Sequence, residues 1–153
     1  VSASPVFRLA AAKAAPVNES RAGYRSLAEA YPRWGLPVRD LAVLSIEAGD
    51  LSDDALKAAL RARELLPDDA QARRALGIAW AQRGSFAQAA PLLENAAATD
   101  GVALYWLATC QGETGPVAKA LETLQRARDA GLPQALVAEA ERRMKTWEAS
   151  RVP

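Results

Sequence analysis

The segment LGIAWAQRGSFAQAAPLLENA, residues 76–96, decides the fold, because small and large apolar residues recur in it at helical spacing. Gly77 and Ala89 are small, and the large residues Trp80 and Leu93 follow them by three and four positions. Small residues let two helix backbones approach closely, and the large residues on the same face fill the remaining space. A glycine in the central Arg-Gly-Ser stretch favours a helix end between the two halves. The segment therefore predicts two antiparallel helices packed as a hairpin.

The same pattern recurs along the chain with a period of 31 to 34 residues. The alanines that mark this period are Ala30, Ala62, Ala96 and Ala127. A repeat of that length is typical of one helical hairpin stacked on the next. An ordinary helical bundle is the alternative, since 36 of the 153 residues are alanine and some matches of spacing are expected by coincidence. Four registers with matching glycines and helix caps favour the stacked hairpins.

Segment 76–96 resembles the tetratricopeptide repeat (TPR), in which Leu-Gly, an aromatic residue, Gly-x-aromatic, alanine, a large apolar residue and a second alanine follow in order. The neighbouring units carry parts of this pattern: Val43, Ile46, Asp50, Ala55, Ala59, Ala62 and Pro67 before it, and Leu104, Leu107, Ala108, Gly115, Val117, Ala120, Leu124 and Ala127 after it. The resemblance implies an all-α fold, a right-handed α-solenoid of stacked antiparallel helical hairpins. It covers about three repeats, a preceding half-unit over residues 24–31 and a C-terminal capping helix.

Apolar periodicity and helix-end signals predict the positions of the helices. The predicted helices span residues 20–31, 38–48, 53–65, 69–82, 86–98, 102–113, 117–129 and 134–148. Capping boxes are predicted at Asp68 and Ser85, and helix stops at Gly49, Gly84, Gly101, Gly115 and Gly131. On the last helix, Leu136, Ala140, Met144 and Trp147 form one apolar stripe, which predicts a cap over the final hairpin, with a docking surface as the alternative.

The chain is predicted to hold one repeat domain over residues 19–149, with a tail at 150–153. Residues 1–18 are predicted as a linker or N-terminal extension, and a short packed helix through Phe7 and Leu9 is the alternative. This stretch is too short and too polar to span a membrane. It lacks an initiator methionine, so either a leader has been removed or the chain is a segment of a longer protein.

Composition argues against several classes of function. The net charge of +1 gives no global attraction to nucleic acid or to an anionic membrane surface. Histidine, the commonest general base and metal ligand, is absent from the sequence, and no glycine-rich phosphate loop is present. Cys110 is alone in a predicted helix, which favours a buried structural thiol over a nucleophile. We therefore predict no enzymatic activity, no catalytic residue, no cofactor and no metal site.

Recognition of another protein is the function that the resemblance implies, since TPR arrays line a concave groove with the first helix of each hairpin. The register carried over from the family assigns the groove to Asp40, Leu44 and Glu47, then to Gln71, Arg74, Ile78 and Gln82, and finally to Val102, Tyr105, Thr109 and Glu113. Leu44, Ile78 and Tyr105 are the predicted apolar contacts, and Arg74 is the predicted anchor for a carboxylate. Among the positions where co-chaperones of this family clamp a C-terminal carboxylate, only Arg74 has suitable chemistry, which argues against that role.

The sequence thus predicts a non-catalytic scaffold or adaptor that binds a partner peptide or helix in the groove. The excess of arginine over lysine beside abundant alanine is typical of GC-rich bacterial genomes and favours a bacterial origin. A role in bacterial envelope, secretion or pilus assembly is one hypothesis for such an adaptor. The periplasm or a membrane-anchored envelope protein is the favoured location, with the cytoplasm as the alternative. A structural module that associates with copies of itself is the alternative function. An enzyme requires catalytic groups in a domain outside this segment.

Overall fold

The computed structural model of this chain describes residues 3–96 and 98–151, and all regular structure in these ranges is α-helical. The helices are α1 (Pro5–Ala14), α2 (Val17–Ala30), α3 (Gly35–Glu47), α4 (Asp53–Leu65), α5 (Ala70–Gln82), α6 (Phe86–Leu93), α7 (Gly101–Thr114), α8 (Val117–Ala130) and α9 (Gln134–Ser150). Contacts within the chain divide it into two compact units, unit 1 up to Ala79 and unit 2 from Trp80 onward. The division falls inside α5.

Unit 1 begins with a tight hairpin of α1 and α2. Leu9 and Ala12 of α1 are buried against Tyr24 and Leu27 of α2. At Gly23 a Cβ atom would lie 2.8 Å from the Ala12 Cβ atom, so the two helix backbones approach closely. Of the two predicted alternatives for the start of the chain, the structure therefore has the packed helix over Pro5–Ala14.

The rest of unit 1 is the hairpin of α3 and α4, followed by the first residues of α5. Val38, Ala62 and Ala72 form a buried cluster that joins these three helices. Gly35 starts α3 directly against Leu66, because a Cβ atom there would lie 2.5 Å from the Leu66 Cγ atom.

In unit 2, the helices α7, α8 and α9 share a buried core. Its buried members are Leu104, Tyr105, Ala108, Ala120, Leu121, Leu124, Ala127, Ala140 and Trp147. Leu136 and Met144 of α9 pack on this core, which confirms the predicted apolar stripe as a cap. At Gly112 a Cβ atom would collide with the Trp147 ring, so α9 lies directly on α7.

Most predicted helix ranges are confirmed within a few residues, but α6 ends at Leu93 and the predicted end at 98 is wrong. Pro91 lies inside α6, has no N–H group for the helical hydrogen bond, and is followed by a turn at 94–95. Ala97 lies outside the described residues. Because α6 ends early, Ala96 lies beyond the helix and is half-buried. Of the other alanines that mark the repeat, Ala30 is exposed, and Ala62 and Ala127 are fully buried.

Several predicted helix ends also differ from the structure. The cap of α5 is Asp69 rather than Asp68, since its Oδ1 atom accepts a hydrogen bond from the Ala72 backbone N–H at 2.8 Å. Ser85 makes no capping hydrogen bond with its side chain. Gly49, Gly84 and Gly131 have positive φ, as stops with a left-handed residue require. In contrast, Gly101 begins α7, and Gly115 is extended with φ −143°.

Candidate partner-binding surfaces

A cleft of about 280 Å³ opens in unit 1 where α1, α2 and α3 meet, and we call it the α3 cleft. Its lining residues are Lys13, Tyr24, Asp40, Val43, Leu44 and Glu47. The sequence had assigned three of these residues, Asp40, Leu44 and Glu47, to a groove. They follow one another on α3 by four and three positions, so they share one face of the helix.

Asp40 is the centre of charge in the α3 cleft. Its Oδ1 atom accepts hydrogen bonds from Nε and Nη2 of Arg39, at 3.0 and 2.9 Å. Its Oδ2 atom lies 3.3 Å from Nζ of Lys13, which is an ion pair between α3 and α1. That oxygen is buried and accepts no hydrogen bond of good geometry within the described residues. Lys13 and Arg39 together therefore balance the charge of Asp40 at this end of the cleft.

Arg39 connects the cleft to the start of α5. Its Nη1 atom donates to Oδ2 of Asp69 at 3.1 Å, and both side chains are largely buried. Burial alone lowers the pKa of Arg39, but hydrogen bonds to Asp40 and Asp69 outweigh that effect and raise it above its ordinary value. Burial also raises the pKa of the Tyr24 hydroxyl, and the nearby Asp40 carboxylate raises it further. Tyr24 therefore lines the cleft as a neutral side chain. Arg39, which lies behind it, is always charged.

The other two predicted residues of α3 give the cleft its floor and its rim. Leu44 is half-buried and packs on the Leu9–Tyr24 cluster of the first hairpin. Glu47 is exposed, and within the described residues it has no ion-pair partner. The α3 cleft therefore combines an apolar floor, the Lys13–Asp40 ion pair at one end and the exposed Glu47 carboxylate at the other.

The positions that the sequence assigned to α5 lie in different environments. Gln71 is exposed and Arg74 is half-buried, whereas Ile78 is only 1% exposed. Ile78 therefore differs from the expectation that it offers an apolar contact to a partner. Gln82, at the end of α5, is half-buried, and its Oε1 atom is buried without a hydrogen bond in the described part of the chain.

In unit 2 the positions assigned to α7 are largely covered. Val102 is half-buried and Glu113 is exposed, but Tyr105 and Thr109 are each 1% exposed. The Thr109 hydroxyl donates a hydrogen bond to the Tyr105 carbonyl at 3.0 Å, within the helix itself. Neither side chain is available to a partner in this structure, so the expectation of an apolar contact from Tyr105 is corrected.

Part of the cover over Tyr105 comes from the cap helix α9. Arg143 of α9 donates from Nε to the Tyr105 hydroxyl at 3.2 Å, and its guanidinium carbon lies 6.0 Å from the centre of the same ring. Arg143 also lies 3.7 Å from Oε1 of Glu113. On the other side, Trp106 packs edge-on against Tyr105 with ring centres 5.1 Å apart. The face of α7 that the sequence assigned to a groove is thus partly occupied by the chain itself.

Sequence reasoning missed three residues that line the α3 cleft, Lys13, Tyr24 and Val43. Val43 was assigned only to the repeat pattern. Lys13 lies in the segment for which the sequence predicted either a linker or a short helix. Nothing in the sequence therefore indicated its ion pair with Asp40. Tyr24 had a weak signal, because it opens the half-unit that precedes the first full repeat. Arg143 does not belong to the apolar stripe of the cap helix, and nothing in the sequence indicated that its long side chain reaches Tyr105.

The cysteine and the acidic side chains are the remaining groups of chemical interest. Cys110 is fully buried, and this burial raises the pKa of its thiol to about 11. Its predicted placement as a buried thiol is confirmed. Among residues 3–96 and 98–151, acidic and cysteine side chains form no group of three that suits a metal ion. No helix in these ranges is long and apolar enough to cross a membrane.

No protein-family model matches the chain, and no curated protein matches it in sequence. Solved structures do match it. MamA AMB-1 superposes with a TM-score of 0.72 at 16% identity, over 95% of this chain and 85% of that one. MamA 41-end from Desulfovibrio magneticus RS-1 gives a TM-score of 0.69 at 17% identity, over 95% and 81% of the two chains. YrrB, described as a TPR protein with an unusual peptide-binding site, gives 0.67 at 14% identity, over 88% and 69%.

Proposed function

We propose that this chain, an all-α protein with the tetratricopeptide-type fold, is a non-catalytic adaptor that binds a segment of a partner protein in the α3 cleft. The observation that carries the proposal is the convergence of Asp40, Leu44 and Glu47 on one cleft with Lys13. The register of the repeat assigned these three positions to a groove, and in the structure all three line one cleft. The peptide-binding site attributed to YrrB supports a similar use of the same fold.

The chemistry of the α3 cleft indicates which kind of segment fits. Val43 and Leu44 offer an apolar floor, whereas Lys13, Asp40 and Glu47 offer charges of both signs. A short segment with an apolar side chain beside polar or charged groups satisfies this set, either extended or as one face of a helix. The binding domain in this proposal comprises residues 19–149 together with α1, because Lys13 of α1 lines the cleft.

The other exposed or half-buried positions of the sequence-based groove stay part of the proposal as secondary contacts. They are Gln71, Arg74, Gln82, Val102 and Glu113. Ile78, Tyr105 and Thr109 are removed from it because they are buried. We further propose a role in bacterial envelope, secretion or pilus assembly, for which the arginine-rich and alanine-rich composition supports only the bacterial origin.

Affinity capture from native bacterial extract, followed by quantitative mass spectrometry, tests the adaptor function. The test variant is Glu47→Arg, which reverses an exposed and unpaired charge at the rim of the cleft and should leave folding intact. The matched control is Glu122→Arg, which makes the same change on the exposed face of α8. We expect Glu47→Arg to lose partners that the wild-type chain and Glu122→Arg both retain. Equal capture by all three proteins would place recognition outside the α3 cleft.

A further inference from the structure

The outer face of α1 is an apolar surface without cover in unit 1. Val6 is 69% exposed and Phe7 is 73% exposed, and Val17 at the start of α2 is 57% exposed. Ala10 and Ala14 lie on the same side of α1 as Val6 and Phe7, and both are exposed. We call Val6, Phe7, Ala10 and Ala14 the α1 stripe. Contiguous exposed apolar residues are candidates for a contact surface.

The opposite face of α1 is fixed, so the stripe is held in a defined orientation. Leu9 and Ala12 are buried against α2, and the close approach of Gly23 to Ala12 leaves little room for α1 to turn. A contact surface that is rigid before binding loses less conformational entropy when it is covered.

The α1 stripe also carries no charge. The two charged residues of α1 are both engaged within unit 1, since Arg8 donates to the Ser26 hydroxyl at 3.1 Å and Lys13 pairs with Asp40. A lipid surface or an acidic partner would be recognised by free cations beside the apolar residues. An uncharged stripe is instead complementary to another uncharged apolar stripe.

The order of residues along the stripe makes it complementary to itself. The large residues Val6 and Phe7 lie in the N-terminal half of α1, and the small residues Ala10 and Ala14 lie in the C-terminal half. When two copies meet antiparallel, with the two-fold axis between positions 10 and 11, the large half of each stripe faces the small half of the other. Phe7 of each copy then fills the space above Ala14 in its partner, as ridges pack into grooves.

We propose that the α1 stripe is a self-association surface that pairs two copies of this chain through antiparallel α1 helices. This pairing does not depend on the α3 cleft, and either proposal stands without the other. The stripe of each copy presents only four side chains, two of them alanine, so the paired helices bury an area at or below the low end of specific interfaces. The dimer is therefore weak and forms as the protein concentration rises.

Sedimentation equilibrium of the full chain, from about 5 µM to about 1 mM, measures this association. We expect the average mass to rise from monomer towards dimer across that range. Phe7→Ser should weaken the association at least tenfold, and the matched control Leu60→Ser, an exposed leucine of α4, should leave it unchanged. A wild-type chain that stays monomeric at the highest concentration, or a control that weakens the dimer equally, would overturn the proposal.

Two further variants separate this pairing from general stickiness. Ala14→Leu adds apolar surface but fills the space for Phe7, so the specific dimer should weaken, whereas non-specific adhesion would increase. Ala10→Cys should form an intermolecular disulfide under mild oxidation, while Ala87→Cys, on an exposed face of α6, should not. Binding of the monomeric chain to vesicles of phosphatidylcholine and phosphatidylglycerol, lost in Phe7→Ser, would assign the stripe to a lipid surface and refute the dimer.

Discussion

Replacing Tyr105 with alanine tests whether this ring belongs to the core of unit 2 or to an open groove. The ring is 1% exposed, so its removal leaves a cavity, and comparable aromatic-to-alanine changes cost about 3–5 kcal/mol. The hydroxyl also accepts a hydrogen bond from the charged Arg143, and a hydrogen bond to a charged group contributes about 1.5–3 kcal/mol. We therefore expect Tyr105→Ala to lower the free energy of unfolding by several kcal/mol, and Tyr105→Phe to lower it by only the smaller amount.

Urea unfolding followed by circular dichroism measures both changes. The matched control is Phe7→Ala, which removes an aromatic ring that is 73% exposed, at a concentration where the chain is monomeric. Substitutions on the surface usually change stability by less than about 0.5 kcal/mol. If Tyr105→Ala changed stability no more than Phe7→Ala does, Tyr105 would not be a core residue and the packing of α9 over α7 would be wrong.

Three other predictions follow from the packing and the charges. Gly112→Ala places a methyl group against the Trp147 ring, so we expect a loss of about 1–3 kcal/mol by thermal unfolding, although alanine is otherwise the better helix former. Burial raises the pKa of Asp69, but the Ala72 N–H and Arg39 outweigh it and lower the pKa below 3.8. The stability from this ionised carboxylate is thus present at neutral pH and lost as the pH falls through the lowered pKa. Asp69→Asn keeps a good helix cap and should reduce that acid dependence in unfolding measurements; an unchanged profile would contradict it. The Cys110 thiol, with its pKa raised to about 11, should resist a thiol reagent at pH 8 until urea unfolds the chain.

The repeat period predicted most of the helices because close helix contacts need small residues at fixed spacing. Ala62, Ala108 and Ala127 are fully buried where the register put them. The same rule failed at the first and third of the four alanines that mark the repeat, for local reasons. Ala30 lies at the exposed end of α2, and Pro91 precedes a turn that leaves Ala96 beyond the helix.

The candidate site was predictable on α3 but not on α7. The face of α3 that carries Asp40, Leu44 and Glu47 remains open as a cleft, and the role of these residues in binding stays a prediction. On α7 the outcome depends on which face the cap helix covers, and the apolar stripe of α9 does not specify it. Gly112 was the available signal, since a glycine inside a helix often marks the close approach of a bulky neighbour, here Trp147.

Photo-crosslinking from the α3 cleft tests the central claim most directly, because it reports contact rather than loss of binding. A benzoylphenylalanine side chain at position 47 lies at the rim of the cleft, and the same side chain at position 122 on α8 serves as the control. We expect irradiation in native extract to give a discrete crosslinked partner from position 47 and none from position 122. A partner crosslinked from position 122 alone, with none from position 47, would contradict binding in the α3 cleft.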